Sequence, residues 1–308
     1  MSEPHVVGLK PWLPWPFSES AWWTEPVRAE RLAALRIGVG CVLLLDVLFC
    51  YLPYTGVFFG SDSLGAPGIF DRQRPLPDWP WSLLAGVEAQ SVWYGVLVVW
   101  ALAAVALALG VLPRAAAALA WFIGGCVHYV NPWLYNGGDA IRHILLLYLI
   151  LTPCGAVWSV VRRRESAEPV YVHPWWLRLI FLQMLIVYFV NGVSKLGPQW
   201  RAGEAIWYVT GSVSWTRWSR ADLPMPFLLT QLLTWITLIW ELTFPIFAVW
   251  PRTRTFTLCL GVLFHLGTGL ALKLALFPLY AICFYLPLVP WERWSDRKAA
   301  ASEGERLG

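Results

Sequence analysis

The sequence predicts an all-α, polytopic helical membrane protein with about eight transmembrane helices and both termini in the cytoplasm. Of the 308 residues, 58% are hydrophobic and only 14% are charged, whereas about a quarter of the residues in a soluble domain are charged. The 22 Trp and 23 Pro residues suit membrane helices, because Trp anchors the interface and Pro is tolerated there. Apolar stretches of spanning length also recur along the chain.

Eight apolar segments can be drawn, and they define the predicted domain organisation. The second and third are separated only by Pro113 and Arg114, which predicts a tight helical hairpin. The last is short and contains Pro278 and Pro287, which predicts a tilted or broken helix. Residues 1–26 then form a cytoplasmic or interfacial segment, 27–290 a single transmembrane domain with outer loops 53–91 and 196–226, and 291–308 a polar cytoplasmic tail. The segments are 28–52, 92–112, 114–132, 140–161, 174–195, 227–250, 254–272 and 275–290.

The distribution of basic residues predicts the orientation. By the positive-inside rule, the loops that carry arginine lie in the cytoplasm. Three polar stretches, 131–139, 191–201 and 265–273, then lie at the outer face, which predicts a site on the non-cytoplasmic side of the cell membrane. The basic residues that decide this are Arg114, Arg162, Arg163, Arg164, Arg252 and Arg254.

Several functional classes are disfavoured by composition. The six Cys fall in or beside apolar stretches without a C-x-x-C pair, which disfavours a thiol–disulfide oxidoreductase. The five His are scattered without metal-ligand spacing, so no metal is expected. The sequence has no basic run with interleaved aromatic residues, so no nucleic-acid partner is expected. No cleavable signal peptide is apparent, because the first apolar core is too long.

Lys195, at the end of the apolar segment 174–195, is the strongest candidate for a catalytic residue. Ionisable groups at membrane depth are rare and by default suggest a functional site. Lys195 has two interpretations: it snorkels to the headgroups, or it is partly desolvated and acts as a base. Tyr188 and Asn191 precede it at helical spacing, so the three side chains share one face.

Asp139 and His265 are the other candidate catalytic residues. Asp139 opens the fourth segment, where it caps the helix, orients a partner, or does both. Arg142 and His143 lie one helical turn away, so either could pair with it. His265 either makes an interhelical hydrogen bond or takes part in proton transfer.

Three further charges lie inside predicted spans. Arg36 and Glu241 fall toward the same, inner half of the membrane, so we expect them to form an ion pair. Asp46 lies in the outer half of the first span, where it contacts the outer site or pairs with a basic group.

With these segments in place, the chain resembles the HTTM (horizontally transferred transmembrane) domain family, the bacterial relatives of the membrane part of vitamin K-dependent γ-carboxylase. Four stretches, in order and with compatible spacing, carry the resemblance, which covers most of 25–290. They are Leu-Arg-Ile-Gly at 35–38 with Asp46, Asn-Pro through Asn-Gly-Gly-Asp at 131–139, Asn-Gly-Val-Ser-Lys-Leu at 191–196 with Trp200, and Phe-His-Leu-Gly at 264–267.

The resemblance implies a chemistry. In the carboxylase a lysine close to a Trp is taken as the base that activates reduced vitamin K, and Lys195 with Trp200 matches that position. His265 matches a histidine that follows a Phe in a late span. A reduced quinone is therefore the implied cofactor. The candidate catalytic residues are Lys195, His265 and Asp139, and the candidate substrate- or cofactor-binding residues are Asn136, Tyr188, Asn191, Trp200 and Asp46.

Two departures from the carboxylase limit what the resemblance implies. Asn136-Gly137-Gly138 replaces its Asn-Asn-His motif, and its large lumenal domain has no counterpart after Pro290. Glutamate carboxylation is therefore not expected, whereas a quinone or another lipid-soluble ring is.

Two functions from different classes follow. The first is a lysine-based enzyme acting on a quinol or similar substrate at the outer face. The second is a non-catalytic membrane protein that supports export, maturation or immunity for a secreted peptide, with a peptide or membrane protein as partner. A solute transporter ranks third, because no inverted Gly/Pro-interrupted symmetry is visible.

Overall fold

The computed structural model describes residues 23–66, 69–70, 78–161 and 169–296. These residues are mostly helical, so the predicted all-α class is confirmed. The α-helices, in chain order, are α1 (Glu30–Asp46), α2 (Thr55–Phe58), α3 (Asp78–Trp81), α4 (Gln90–Leu109), α5 (Pro113–Val130), α6 (Gly137–Leu151), α7 (Trp175–Ser194), α8 (Pro198–Arg201), α9 (Ala205–Gly211), α10 (Phe227–Val249), α11 (Pro251–Ala271) and α12 (Phe277–Cys283). Two short strands are β1 (Val27–Arg28) and β2 (Tyr171–Val172).

Irregular helical turns connect some of these helices. A π turn at Val47–Tyr51 and a 3₁₀ turn at Leu52–Tyr54 continue α1 into α2. Further 3₁₀ turns lie at Ser82–Leu84, Pro132–Leu134 and Leu286–Leu288. The predicted outer loops therefore contain short helices of their own, because α2 and α3 fall in the first loop and α8 and α9 in the second.

Five helical segments in the described part of the chain are long and apolar enough to cross a membrane. They correspond to the first, second, fifth, sixth and seventh predicted spans. The other three predicted spans fold as α5, α6 and α12, which do not meet those criteria. The five segments are Glu30–Phe58, Gln90–Leu109, Trp175–Ser194, Phe227–Val249 and Pro251–Ala271.

Proline explains where α6 ends. The prediction that the fourth span extends to residue 161 is wrong, because α6 ends at Leu151, just before Pro153. A proline lacks an N–H donor and restricts the residue before it.

The orientation remains a prediction, since residues 1–22, 162–164 and 297–308, which contributed to it, lie outside the described residues.

The chain divides into two compact units. The smaller contains residues 23–27, His173–Tyr208 and Met225–Gly261. In it, α7 packs along α10. Gly192 permits this contact, because a Cβ there would lie 2.8 Å from the backbone N of Leu242.

The larger unit contains Arg28–Val172, Val209–Pro224 and residues 262–296. Its helices α1, α4, α5 and α6 pack in sequence order, and α12 packs against both α6 and α1. The backbones of α1 and α4 approach closely at Gly40, where a Cβ would lie 2.7 Å from the N of Ala108. Gly110 ends α4 in the left-handed conformation, with a φ of 76°.

Candidate functional site

Lys195 is held at a sharply defined helix end in the smaller unit. It is the residue that follows the last helical position of α7, and its backbone N donates to the carbonyl of Gly192 at 3.1 Å. Pro198 then opens α8, so the chain turns away at once. The side chain therefore extends from the C-terminal end of α7, where helix carbonyls favour a cation.

The Lys195 side chain forms an ion pair with Glu241 of α10. Nζ donates to Oε2 of Glu241 at 2.6 Å, and the two side chains are 21% and 9% exposed. Nζ also lies 3.4 Å from the carbonyl oxygen of Asn191 and 5.5 Å from the ring centroid of Trp200. The lysine is thus partly desolvated and paired with a buried carboxylate.

The prediction that Arg36 and Glu241 form an ion pair is wrong. The buried guanidinium of Arg36 instead donates to the carbonyls of Leu107 at 3.2 Å and Trp158 at 2.6 Å. Leu107 lies in the last turn of α4, so Arg36 compensates the exposed carbonyls of a helix end. Glu241 faces Lys195 because α10 packs along α7.

Aromatic packing fixes the register of α7 and α10 near this pair. The buried ring of Tyr188 stacks on Phe244 with centroids 3.7 Å apart and an interplanar angle of 13°. Tyr188 therefore lies in the interface between the two helices. This stacked pair lies about two turns before Lys195 along α7 and about one turn after Glu241 along α10.

Asn191 makes its hydrogen bonds within its own helix. Its Nδ2 donates to the carbonyl of Val187 at 2.8 Å, and its carbonyl accepts from the Ser194 hydroxyl at 2.7 Å. The same carbonyl contacts Lys195. Asn191 thus helps to orient the end of α7 through its backbone.

A second group of polar side chains is buried in the larger unit, beginning at the start of α6. Oδ1 of Asn136 accepts from the N–H of Gly138 at 2.7 Å, and Oδ2 of Asp139 accepts from the N–H of Asn136 at 2.8 Å. This reciprocal capping box makes Asn136 the N-cap. The prediction that Asp139 caps the helix is wrong as to the capping residue, since Asp139 occupies the third helical position.

Arg142 lies at the centre of this group. It is fully buried, and its Nη1 lies 2.8 Å from Asp46 Oδ2 and 2.8 Å from Asp139 Oδ1. The hydroxyl of Tyr280 is 3.0 Å from the same Oδ2 of Asp46. The guanidinium also lies 4.9 Å from the ring centroid of Trp100, within cation–π range.

His128 and Tyr51 complete the group. Nε2 of His128 lies 3.4 Å from the Tyr51 hydroxyl, 3.5 Å from Asp139 Oδ1 and 3.5 Å from a guanidinium nitrogen of Arg142. Both rings are buried. We call Asp46, Tyr51, His128, Asp139, Arg142 and Tyr280 the arginine cluster.

His265 lies on α11 among aromatic rings. Its ring centroid is 5.8 Å from that of Phe277 and 6.3 Å from that of Tyr285. Phe277 in turn contacts the start of α6, because a Cβ at Gly138 would lie 2.8 Å from the Cα of Phe277. The imidazole is buried and packs through Phe277 toward the helix end that carries Asp139.

A comparison with protein families matches residues 79–294 to the HTTM domain. The match covers well over half of the chain. The chain belongs to the HTTM family. It is therefore a membrane protein related to the membrane domain of γ-carboxylase. No solved structure matches the chain.

The predicted site residues lie in two groups. Four of them, Tyr188, Asn191, Lys195 and Trp200, lie in the smaller unit, and the other four, Asp46, Asn136, Asp139 and His265, lie in the larger one. The prediction that Asp139 pairs with Arg142 or His143 is confirmed for Arg142. The alternative in which Asp46 pairs with a basic group is also confirmed, with the same arginine.

Several residues of these groups are absent from the predicted site. The sequence marks Glu241 as an intramembrane charge, but the predicted partner, Arg36, is wrong. Arg142 is predicted only as a possible partner of Asp139. His128 stands at the end of the third predicted span, as an intramembrane histidine, and this signal could have found it. Tyr51 and Tyr280 carry no sequence signal that separates them from interfacial tyrosines.

Proposed function

We propose that this HTTM protein is a membrane enzyme that removes a proton from an acidic hydroxyl of a lipid-soluble ring, with a reduced quinone as the simplest substrate. The observation that carries the proposal is the Lys195–Glu241 ion pair at 2.6 Å, which is largely withdrawn from solvent. The family relationship to the γ-carboxylase membrane domain supports the same chemistry.

The pair offers a way to generate a free amine at membrane depth. An ammonium beside a carboxylate is costly in an apolar surrounding, and transfer of one proton from Lys195 to Glu241 gives a neutral amine beside a neutral acid. The short distance allows that transfer without water. The neutral amine of Lys195 is then the base, and Glu241 holds the proton that the amine released.

The surroundings of the pair suit a planar aromatic ligand. The Trp200 ring, 5.5 Å from Nζ, offers an apolar face beside the polar group. A reduced quinone supplies an acidic ring hydroxyl when bound. Lys195 and Glu241 would hold that hydroxyl by hydrogen bonds, and Trp200 would contact the ring.

A reaction assay on the full chain tests the proposal. The purified protein in detergent micelles is mixed with a naphthohydroquinone under air, and oxidation of the ring is followed by ultraviolet absorbance. Lys195→Met and Lys195→Arg are both expected to lower the rate about 100-fold or more, because Met cannot bind a proton and Arg does not release one. Lys273→Met is the matched control, since Nζ of Lys273 donates to the carbonyl of Val213.

Two results would overturn the proposed enzymatic function. One is undiminished turnover in folded Lys195→Met. The other is no acceleration by wild-type protein together with no quinone in the lipid extract of the purified protein, measured by mass spectrometry. The second result would leave the non-catalytic role with a secreted peptide or partner protein as the better function.

A further inference from the structure

The arginine cluster contains more negative than positive charge if its carboxyl groups are both ionised. Asp46 and Asp139 contact one guanidinium, that of Arg142, and all three side chains are at least nine-tenths buried. A net charge at such a site is strongly disfavoured, because burial removes its hydration. The cluster therefore needs one additional proton to reach neutrality.

His128 is poorly placed to carry that proton. An imidazolium has two N–H donors, and both require acceptors when the ring is buried. Nε2 reaches Asp139 Oδ1 and the Tyr51 oxygen, but Nδ1 is buried without a hydrogen-bond partner among the described residues. A neutral ring with its hydrogen on Nε2 leaves only a lone pair unsatisfied, which is the less costly state.

Asp139 is arranged as an ionised carboxylate. Its Oδ2 accepts from the backbone N–H of Asn136, and its Oδ1 faces the guanidinium of Arg142 at 2.8 Å. The Tyr51 hydroxyl donates to the same Oδ1 at 3.4 Å. Several donors that converge on both oxygens stabilise the charged form.

Asp46 is arranged differently. Arg142 Nη1 and the Tyr280 hydroxyl both contact Oδ2. This leaves Oδ1 as the position for a proton, and the Cys50 thiol lies within hydrogen-bonding reach of the carboxyl group. Oδ2 can then remain the acceptor of the guanidinium while the carboxyl group as a whole is neutral.

We propose that Asp46 is a proton-binding site, whose carboxyl group holds one exchangeable proton in the resting protein and so balances the charge of the arginine cluster. The proton is bound on Oδ1, and Arg142 remains paired with the Asp139 carboxylate. The site is a property of the larger unit and does not depend on the function proposed for Lys195. Any added positive charge at the cluster releases the proton, and removal of the Asp139 charge does the same.

The groups that can affect this proton come from several elements. On α1 and its π turn they are Cys50 and Tyr51, on α5 His128, and on α12 Tyr280. On α6 they are Asp139, Arg142 and His143, whose ring centroid lies 5.6 Å from that of His128. Tyr135 meets the ring of His128 edge-on, with centroids 5.2 Å apart.

Solid-state NMR of the full chain in lipid, with ¹³C-labelled aspartate, tests the proposal directly, because the carboxyl shift differs between acid and carboxylate. At neutral pH the wild-type spectrum should contain one protonated aspartate. Asp222 is the internal reference for an ionised one, since hydrogen bonds from the Ser219 hydroxyl and N–H lower its pKa. This measurement needs no variant that could fail to fold.

Two matched variants locate the proton. In Asp46→Asn the acid signal should disappear while the Asp139 signal stays at the carboxylate position. In Asp139→Asn the Asp46 signal should move from acid to carboxylate, because Arg142 then has a single anionic partner. The proposal is overturned if the wild-type spectrum has no protonated aspartate, or if Asp46→Asn moves the Asp139 signal from acid to carboxylate. ¹⁵N histidine spectra that show an imidazolium at His128 would also overturn it.

Discussion

The two units of this protein handle buried charge in different ways. In the smaller unit one lysine meets one glutamate, with a charge balance of zero and with the lysine side chain still about one-fifth exposed. In the larger unit one arginine meets two aspartates, and the groups around it are almost fully buried. The first arrangement leaves part of its cation accessible to solvent, whereas the second is buried.

The choice of cation follows the same division. Arginine keeps its charge and presents several donors in a fixed plane, so one guanidinium can contact both Asp46 and Asp139. Lysine is a point charge on a flexible stem and can lose its proton. The difference teaches that the lysine–glutamate pair contains a cation that can lose its proton, while the arginine cluster uses its cation to hold helices together.

The largest expected effect comes from removal of the cation from the arginine cluster. Arg142→Met leaves two buried carboxyl groups without their cation, so the free energy of unfolding should fall by about 3–5 kcal/mol. The measurement is denaturant unfolding in mixed micelles. Arg114→Met is the control, because its exposed guanidinium donates to the carbonyl of Ile150, and it should change the free energy by about 1 kcal/mol or less.

Restoring neutrality should reverse part of this loss. The triple variant that combines Arg142→Met with Asp46→Asn and Asp139→Asn removes both carboxyl groups along with the guanidinium. Its free energy of unfolding should be measurably higher than that of Arg142→Met. An Arg142→Met protein as stable as wild type would contradict a structural role for the cluster.

The next effect tests the packing that brings Glu241 to Lys195. Gly192→Ala places a methyl group 2.8 Å from the backbone N of Leu242, so α7 and α10 must separate. Overpacking of this kind should lower the free energy of unfolding by about 1–3 kcal/mol. It should also reduce turnover in the hydroquinone assay, because the ion pair lengthens.

Gly267→Ala on α11 is the matched control for this substitution. A Cβ there meets nothing within 4 Å, so alanine should be neutral or stabilise the helix by up to about 1 kcal/mol. Equal effects of the two substitutions would contradict the close contact at Gly192.

The helices that were predictable from the sequence are those with long, uniformly apolar segments. Five of the eight predicted spans coincide with helical segments that are long and apolar enough to cross a membrane, because long apolar runs have few alternatives to such a helix. The end of α6 was not predicted, because the apolar pattern continues beyond Pro153 whereas the helix stops before it. Lys195 at the end of α7 was correctly placed because Gly197 and Pro198 are strong stop signals.

The partners of the charged residues were harder to predict. Arg36 and Glu241 share a predicted membrane depth, but depth alone does not say which helices are neighbours. Tyr51 joins Asp46 in the arginine cluster although the two are five residues apart, a spacing that a regular α-helix puts on different faces. The π turn at Val47–Tyr51 widens the helix there and changes the face on which Tyr51 lies. No pattern in the sequence predicts such a turn.

A double-mutant cycle on the smaller unit gives the third effect. Lys195→Met and Glu241→Gln each remove one charge, and the double variant removes both. Because the pair is short but partly exposed, we expect a coupling of about 1–2 kcal/mol in the free energy of unfolding. A coupling near zero would mean that Lys195 and Glu241 do not depend on each other, and the contrast between the two units would then lose its basis.

The smallest effect concerns the cap that holds Asp139 in the arginine cluster. Asn136→Ala removes the hydrogen bond to the N–H of Gly138 and half of the capping box, so unfolding should become easier by about 1 kcal/mol. Asn191→Ala is the matched control, since that amide bonds only within α7 at an exposed position, and it should change the free energy by a few tenths of a kcal/mol. The NMR measurement above adds a sharper readout: if the cap positions Asp139, Asn136→Ala should shift the Asp139 carboxyl signal, and Asn191→Ala should leave it unchanged. An unshifted signal in Asn136→Ala would mean that the Asn136 side chain does not position Asp139.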